Sequence, residues 1–153
     1  MKICLVSSCG GHFMELLQLL PLAKKFDYYL VTEGNKANDE LKIDDVNIYF
    51  LDQQERKGLI FFYKFIKNIL LSLIYLIKEK PSHIITTGAG AVFPTCLFGK
   101  MMGCKIVYIE SFAKVNSKSI TGSIIYKFSD KFYVQWEETL SVYPKAEYHG
   151  TIY

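Results

Sequence analysis

At 153 residues the chain has room for one domain with a sizeable core, and 50% apolar with 15% aromatic residues excludes a disordered polymer. A net charge of +3 makes no electrostatic case for a nucleic-acid partner. Four cysteines (Cys4, Cys9, Cys96, Cys104) have neither CxxC nor metal-ligand spacing and read as buried or free thiols of a reducing compartment. Met1-Lys2-Ile3 runs straight into a strand, which argues against a signal peptide and for the cytosol.

Lys2 to Val6 is a short apolar run with the length and composition of a buried strand. Ser7-Ser8-Cys9-Gly10-Gly11-His12 follows, and then a leucine stripe (Leu16, Leu17, Leu19, Leu20, Leu22) predicts one helix ending near Lys25. Asp27 to Thr32 is a second strand by its aromatic and β-branched content. Glu33-Gly34-Asn35 predicts a turn, residues 38–42 a short polar helix, and Val46 to Leu51 a third strand.

Residues 58–78 are apolar around most of the helical wheel, with Lys57, Lys64, Lys67, Asn68 and Lys78 on one narrow arc. Surface helices bury an apolar stripe somewhat over 100° wide, and this one is about twice that. Two lysines in mid-span would each cost about 2.5–3.5 kcal/mol in a bilayer core, which argues against a spanning segment. Two readings remain open. The amphipathic helix lies on an anionic lipid surface through Phe61, Phe62, Lys64, Phe65 and Lys67, or it is a core helix covered by a partner.

Pro81 closes that helix, and Ser82 to Thr87 is a fourth strand leading into Gly88-Ala89-Gly90. A helix over 92–102 tolerates Pro94 in its first turn, with Gly103 as its cap. Lys105 to Ile109 is a fifth strand ending on Glu110-Ser111, 120–128 a helix, Lys131 to Val134 a sixth strand, and 135–140 a short helical segment. This alternation predicts a single Rossmann-like α/β domain over 1–153 with a doubly wound, mostly parallel sheet. Ligands of such sheets sit outside the carboxyl ends of the strands, where both glycine turns and Glu110-Ser111 converge.

At that rim, a strand, a glycine pair and a helix start bring backbone amides to bear on an anion. His12 is the group there able to exchange a proton near neutral pH, as a ligand contact or general base, unless it is an ordinary surface histidine. Glu110 is a second candidate, able to hydrogen-bond a sugar or orient His12. Glu15 is either a functional acid or a first-turn residue favoured by the helix dipole, and Lys114 either meets a phosphate or is solvated. Neither glycine turn has GxGxxG spacing and no GK[ST] follows either, so the dinucleotide reading, with Glu33 as ribose acid, and the P-loop reading are weak.

These residues carry a resemblance. Ser8-Cys9-Gly10-Gly11-His12 with Glu15 and Leu16, Thr87-Gly88-Ala89-Gly90, Tyr108-Ile109-Glu110-Ser111-Phe112-Ala113, Thr121-Gly122, Ser129-Asp130, Val134-Gln135-Trp136 and Tyr148-His149-Gly150-Thr151 span the whole chain. Together they resemble the Alg-fourteen-like family of oligosaccharide biosynthesis proteins, including bacterial capsule and exopolysaccharide subunits of the CpsF/EpsE type. The chain is also similar to the acceptor-side half of MurG-type GT-B glycosyltransferases. Lys114 stands where the family pattern has arginine, which removes bidentate phosphate recognition there.

The resemblance implies half of a split, inverting glycosyltransferase at the cytoplasmic face of the plasma membrane. This half receives a polyprenyl-diphosphate-linked sugar while a partner subunit binds the UDP-sugar, with no cofactor, metal or nucleic acid. His12 and Glu110 are then the expected catalytic residues, and Ser8, Gly10, Gly11, Glu15, Gly88, Gly90, Ser111 and Lys114 the expected substrate contacts. The alternative from another class is a non-catalytic membrane scaffold that recruits and activates the donor-binding subunit.

Overall fold

The computed structural model describes residues 1–34, 43, 46–53 and 59–153. Among these, seven strands form one sheet: β1 (Lys2–Ser7), β2 (Asp27–Gly34), β3 (Ile48–Asp52), β4 (His83–Gly88), β5 (Lys105–Ile109), β6 (Lys131–Val134) and β7 (Glu147–Tyr148). Their order is β3-β2-β1-β4-β5-β6-β7 and every pairing is parallel. The helices are α1 (Gly11–Leu17), α2 (Leu20–Ala23), α3 (Leu59–Glu79), α4 (Phe93–Met101) and α5 (Ile120–Ile125), with 3-10 turns at Gly90–Val92 and Glu137–Ser141. The polar helix expected over 38–42 lies outside the described residues.

Alternation along the strands builds two cores. Cys4, Val6, Tyr29, Val31, Ile84, Ile106 and Tyr108 face α3, α4 and α5, whereas Ile3, Leu5 and Leu30 face Phe13, Leu16 and Ala23 of α1 and α2. The chain winds outward through β1, β2 and β3, then crosses back by α3 to place β4 beside β1. Between Val6 and Ser7 the β1–β4 pairing shifts register, so the loops after these strands part at the position where the strand order reverses. That crevice is where doubly wound sheets bind ligands.

Three elements differ from expectation. The single helix predicted to Lys25 is two pieces, because Pro21 has no amide to continue the ladder and instead starts α2. β7 pairs Glu147 and Tyr148 with Tyr133 and Val134, although two residues carry no periodicity a sequence could reveal. The helix after β4 begins as a 3-10 turn preceded by Ala89 at φ 78°, ψ 163°, a region occupied almost entirely by glycine and costing about 1–3 kcal/mol for other residues.

The long helix turns Asn68 of its expected polar arc inward, while Lys67 and Lys78 stay exposed. Its fully buried side chains are Asn68, Ser72 and Leu76, with Glu79 nearly so, while Tyr63, Ile66, Leu70, Ile74 and Ile77 are each 56–70% exposed. Asn68 turns inward because β3 is an edge strand with free backbone groups. Its Oδ1 accepts from the Asp52 amide at 2.8 Å and its Nδ2 donates to the Asp52 carbonyl at 2.9 Å. Ser72 meets Thr95 at 2.9 Å, and Glu79 binds Lys2 and the Tyr49 hydroxyl. The expected basic arc is therefore largely engaged within the fold. Lys67 grips both Asp52 oxygens at 2.9 and 2.8 Å, and Lys78 lies 5.2 Å from the centre of the Tyr49 ring.

At the opposite end of the sheet Asp130 ties α4 to β5. It accepts from Lys100 Nζ at 2.7 Å, the Ile106 amide at 2.8 Å and Lys105 Nζ at 3.2 Å. Burial pushes its carboxyl up, but Lys100, the Ile106 amide and Lys105 outweigh it and hold the group at about 2. A lowered carboxyl stabilises the fold above its unfolded value, and this contribution is lost as pH falls from about 4 through about 2. Asp130→Asn is thus expected to cost about 2 kcal/mol in urea unfolding at neutral pH. The gap between variant and wild type closes near pH ~2; a gap that persists there assigns the cost to packing.

Candidate active site

His12 stands in the first turn of α1 beside the crevice. Its Nδ1 lies 2.8 Å from the Thr87 carbonyl, and the Thr87 hydroxyl donates to the His12 carbonyl at 2.6 Å. A carbonyl can only accept, so the proton of the neutral ring sits on Nδ1 and Nε2 carries the lone pair. This reciprocal clasp joins the loop after β1 to the end of β4, and the Ser8 amide adds a bond to the Gly88 carbonyl at 3.3 Å. Thr87, not singled out from the sequence as an individual residue, therefore fixes the tautomer of His12. It does so through its backbone, which residue type does not report.

The two carboxylates expected at the rim both point into the fold, and these are corrections. Glu15 is 4% exposed; its Oε1 accepts from the Ser111 hydroxyl and the Phe112 amide, each at 3.2 Å, and its Oε2 from Gln135 Nε2 at 3.1 Å. Burial raises its carboxyl; the Phe112 amide, the charge of His12, Ser111 and Gln135 partly offset that rise. Gln135 also donates to the Glu110 carbonyl at 3.0 Å and accepts from the Ile152 amide at 3.1 Å. It joins α1, the loop after β5, and the tail. The signal for Gln135 was its place at the carboxyl end of a buried strand, matching that of Glu110.

Glu110 is 1% exposed, and its carboxylate is engaged by the loop after β5 and by Tyr143. It accepts from the Ser111 amide (2.9 Å), the Ser119 amide (3.3 Å) and hydroxyl (3.0 Å), and the Tyr143 hydroxyl (2.7 Å). Its role is to hold the loop over 111–119 and the N-terminus of α5, where Ser119 caps the Gly122 amide at 2.9 Å. A Cβ on Gly122 would lie 2.4 Å from Glu110 Oε2, 2.6 Å from Ser119 Oγ and 2.8 Å from the Tyr143 hydroxyl. Gly122→Ala is accordingly expected to destabilise the chain by about 2–3 kcal/mol. The assay is thermal unfolding, and an unchanged midpoint would show that this knot yields without cost.

The remaining expected contacts divide. Gly10 has φ 78°, a left-handed conformation that demands glycine, and Gly88 (φ 104°) has no room for a Cβ because the Tyr108 hydroxyl would sit 2.6 Å from it. Gly11 and Gly90 have neither a positive φ nor a neighbour within 4 Å of a built Cβ, so the fold itself does not require glycine at either. They leave open space in the crevice for a close approach. Ser8 and Ser111 are buried, and Lys114 is half-buried. Glu33 is buried too, its Oε2 accepting from the Cys9 amide at 3.3 Å, which removes it as a ribose acid. α1 has seven residues and no side-chain cap, so the turn amides contribute more here than a helix dipole. An aromatic group also flanks the rim: Trp136 donates to the Phe112 carbonyl at 2.7 Å, and Phe112 contacts both Trp136 and Tyr153.

Comparison with known proteins places this geometry. The crystal structure of Acinetobacter baumannii MurG superposes with a TM-score of 0.77 at 16% identity, covering 98% of this chain and 45% of that one. The UDP-GlcNAc 2-epimerase of Neisseria meningitidis, solved with UDP-GlcNAc, gives 0.71 at 13% identity, covering 99% and 47%. The chain thus has the fold of one half of each and spans less than half of their length. The UDP-N-acetylglucosamine transferase subunit ALG14 of Homo sapiens is 26% identical over 183 residues, covering 99% of this chain and 83% of the relative. The Candida albicans subunit of the same name is 29% identical over 170 residues, covering 99% and 78%. These relatives are eukaryotic, not the bacterial capsule type of the sequence resemblance. The family model for oligosaccharide biosynthesis protein Alg14 like matches residues 3–152, and the chain belongs to that family.

Proposed function

We propose that this chain is the acceptor-side, membrane-apposed subunit of a two-component glycosyltransferase. The partner subunit holds a UDP-sugar, and this chain holds a polyprenyl-diphosphate-linked saccharide at the crevice between the β1 and β4 loops. The observation that carries the reading is His12, whose Nδ1 is committed to Thr87 and whose Nε2 is left as a base beside open space at Gly11 and Gly90. In the reaction the acceptor hydroxyl oxygen forms a bond to the anomeric carbon while the bond to UDP breaks. UDP leaves with the electron pair, the hydroxyl proton passes to His12 Nε2, and configuration inverts.

Two further observations support this assignment. Relatives of the family are named as transferase subunits, and the fold corresponds to one half of a MurG-type enzyme, which fits a partner supplying the other half. The outward stripe of α3, from Tyr63 to Ile77, supplies an apolar face suited to the cytoplasmic surface of the membrane where a polyprenyl carrier resides. Phe62 lies exposed beside that stripe and Phe61 and Phe65 are half-buried, while Lys64 and Lys67 flank it. The capsular or exopolysaccharide setting rests on the sequence resemblance alone. UDP-N-acetylglucosamine, in the names of the relatives, is the first donor to test.

The inward engagement of Glu15 and Glu110 favours a second reading, a scaffold that only recruits and activates the partner, because no carboxylate expected beside His12 is free to act on substrate. Sugar transfer to a lipid-diphosphate-sugar acceptor, with this chain alone, with its partner and with His12→Ala, decides between them. Activity only with the partner and lost in the variant supports the split enzyme; equal activity with and without His12 leaves a scaffold.

A further inference from the structure

Glu15 sits three residues beyond His12 in α1, on the same side of the helix and one turn away. It is the opposite of what a solvated first-turn acid should be: nearly inaccessible, with both oxygens held by neutral donors from two other elements. The donors are the Ser111 hydroxyl and Phe112 amide from the loop after β5 and the side-chain amide of Gln135, the residue after β6. They orient the carboxylate and satisfy it without neutralising it. Glu110, the other acid in this region, spends its carboxylate on Ser119 and Tyr143 and reaches Gln135 only through its carbonyl. From β4, Thr87 presents a hydroxyl and a carbonyl to His12, neither of them charged. The charge of His12 draws the Glu15 carboxyl down against the rise that burial imposes.

We propose that Glu15 is a positioning residue for His12: a buried, preorganised counter-charge that stabilises the imidazolium formed when Nε2 takes the acceptor proton. The inference rests on the reading of His12 as the base. Glu110 has neutral donors too, but they tie the loop over 111–119 and Tyr143, whereas Glu15 lies one helical turn from the proposed base. Held by fixed donors in a water-poor site, the carboxylate needs no reorganisation as charge develops on the ring. Ser111 and Gln135 thereby gain a role through Glu15 rather than through substrate.

The test measures the coupling from both ends on the full chain and then in the transfer assay. NMR titration of the His12 ring is compared in wild type, Glu15→Gln and Gln135→Ala. The second variant removes a bond to Glu15 but keeps its charge. The expected result is a His12 midpoint lowered by about half a pH unit or more in Glu15→Gln alone. In the transfer assay, Glu15→Gln then lowers kcat about tenfold with little change in KM, moves the acid limb of the rate profile to lower pH, and is partly rescued in Glu15→Asp. An unchanged midpoint in Glu15→Gln, or an equal shift in both variants, overturns the proposal. Should Glu15→Gln fail to fold, the Glu15 carboxyl is titrated in His12→Gln instead. A midpoint raised by loss of the neighbouring cation supports the pair, and an unmoved one overturns it. Because the titrations need no substrate, coupling without transfer in any preparation refutes the transferase reading while leaving the ion pair established.

Discussion

His12→Ala is expected to lower sugar transfer by about 10²–10⁴-fold, the range typical of a lost general base, while leaving assembly with the partner intact. The ring is half-buried and makes one side-chain bond, so removing it costs the fold little, since the Thr87 hydroxyl bond to the His12 carbonyl and the strand pairings survive. His12→Gln sharpens the assay. An amide at this position can still donate to the Thr87 carbonyl but offers no basic nitrogen, so the geometry is kept and the chemistry removed. Co-purification with the partner is measured alongside turnover. A variant that binds and does not turn over places the chemistry on this half. A variant that turns over normally removes His12 from the mechanism, and one that no longer binds makes it an interface residue instead.

The second large effect concerns α3. Ile66→Gln, Leu70→Gln and Ile74→Gln together are expected to release the chain from lipid vesicles, weakening partition by roughly three orders of magnitude from about 4 kcal/mol of lost apolar burial. Each of the three side chains is more than half exposed, so the same changes should alter thermal stability little. Glutamine is chosen because it adds no charge to confuse the comparison with anionic lipid. Salt should weaken binding only modestly, since Lys67 is already paired with Asp52 and Lys78 lies against Tyr49. Co-sedimentation with vesicles measures it. Undiminished binding by the triple variant removes α3 from the membrane contact, and a change in oligomeric state instead assigns the face to a protein neighbour.

The helical wheel of residues 58–78 puts Lys57, Lys64, Lys67, Asn68 and Lys78 on one arc, but which of them turns inward is not read from spacing. Only the partner surface decides that, and here the partner is the exposed backbone of an edge strand. Asn68 earns its buried place by completing the hydrogen bonds of Asp52, and Ser72 by meeting Thr95. An apolar residue at position 68 would leave the β3 backbone unsatisfied. Glu15, one helical turn beyond His12, and Glu110, at the end of a strand, are rim candidates from the sequence, yet both point inward because fixed donors on other elements await them.

Legible in the residues alone are the α/β alternation, the bounds of β5 and β6, and the placement of His12 beside two glycines at the end of the first strand. These follow from signals contained within one element: an apolar run, a breaker, a residue type with limited φ. Tertiary structure alone decided which nitrogen of His12 is free, which way the two acids turn, how α3 faces, and that Glu147 and Tyr148 close the sheet as β7. Each of those depends on a hydrogen-bond partner tens of residues away. Spacing along one chain segment fixes which side chains share a face, whereas the identity of the surface opposite is set only when the sheet has formed.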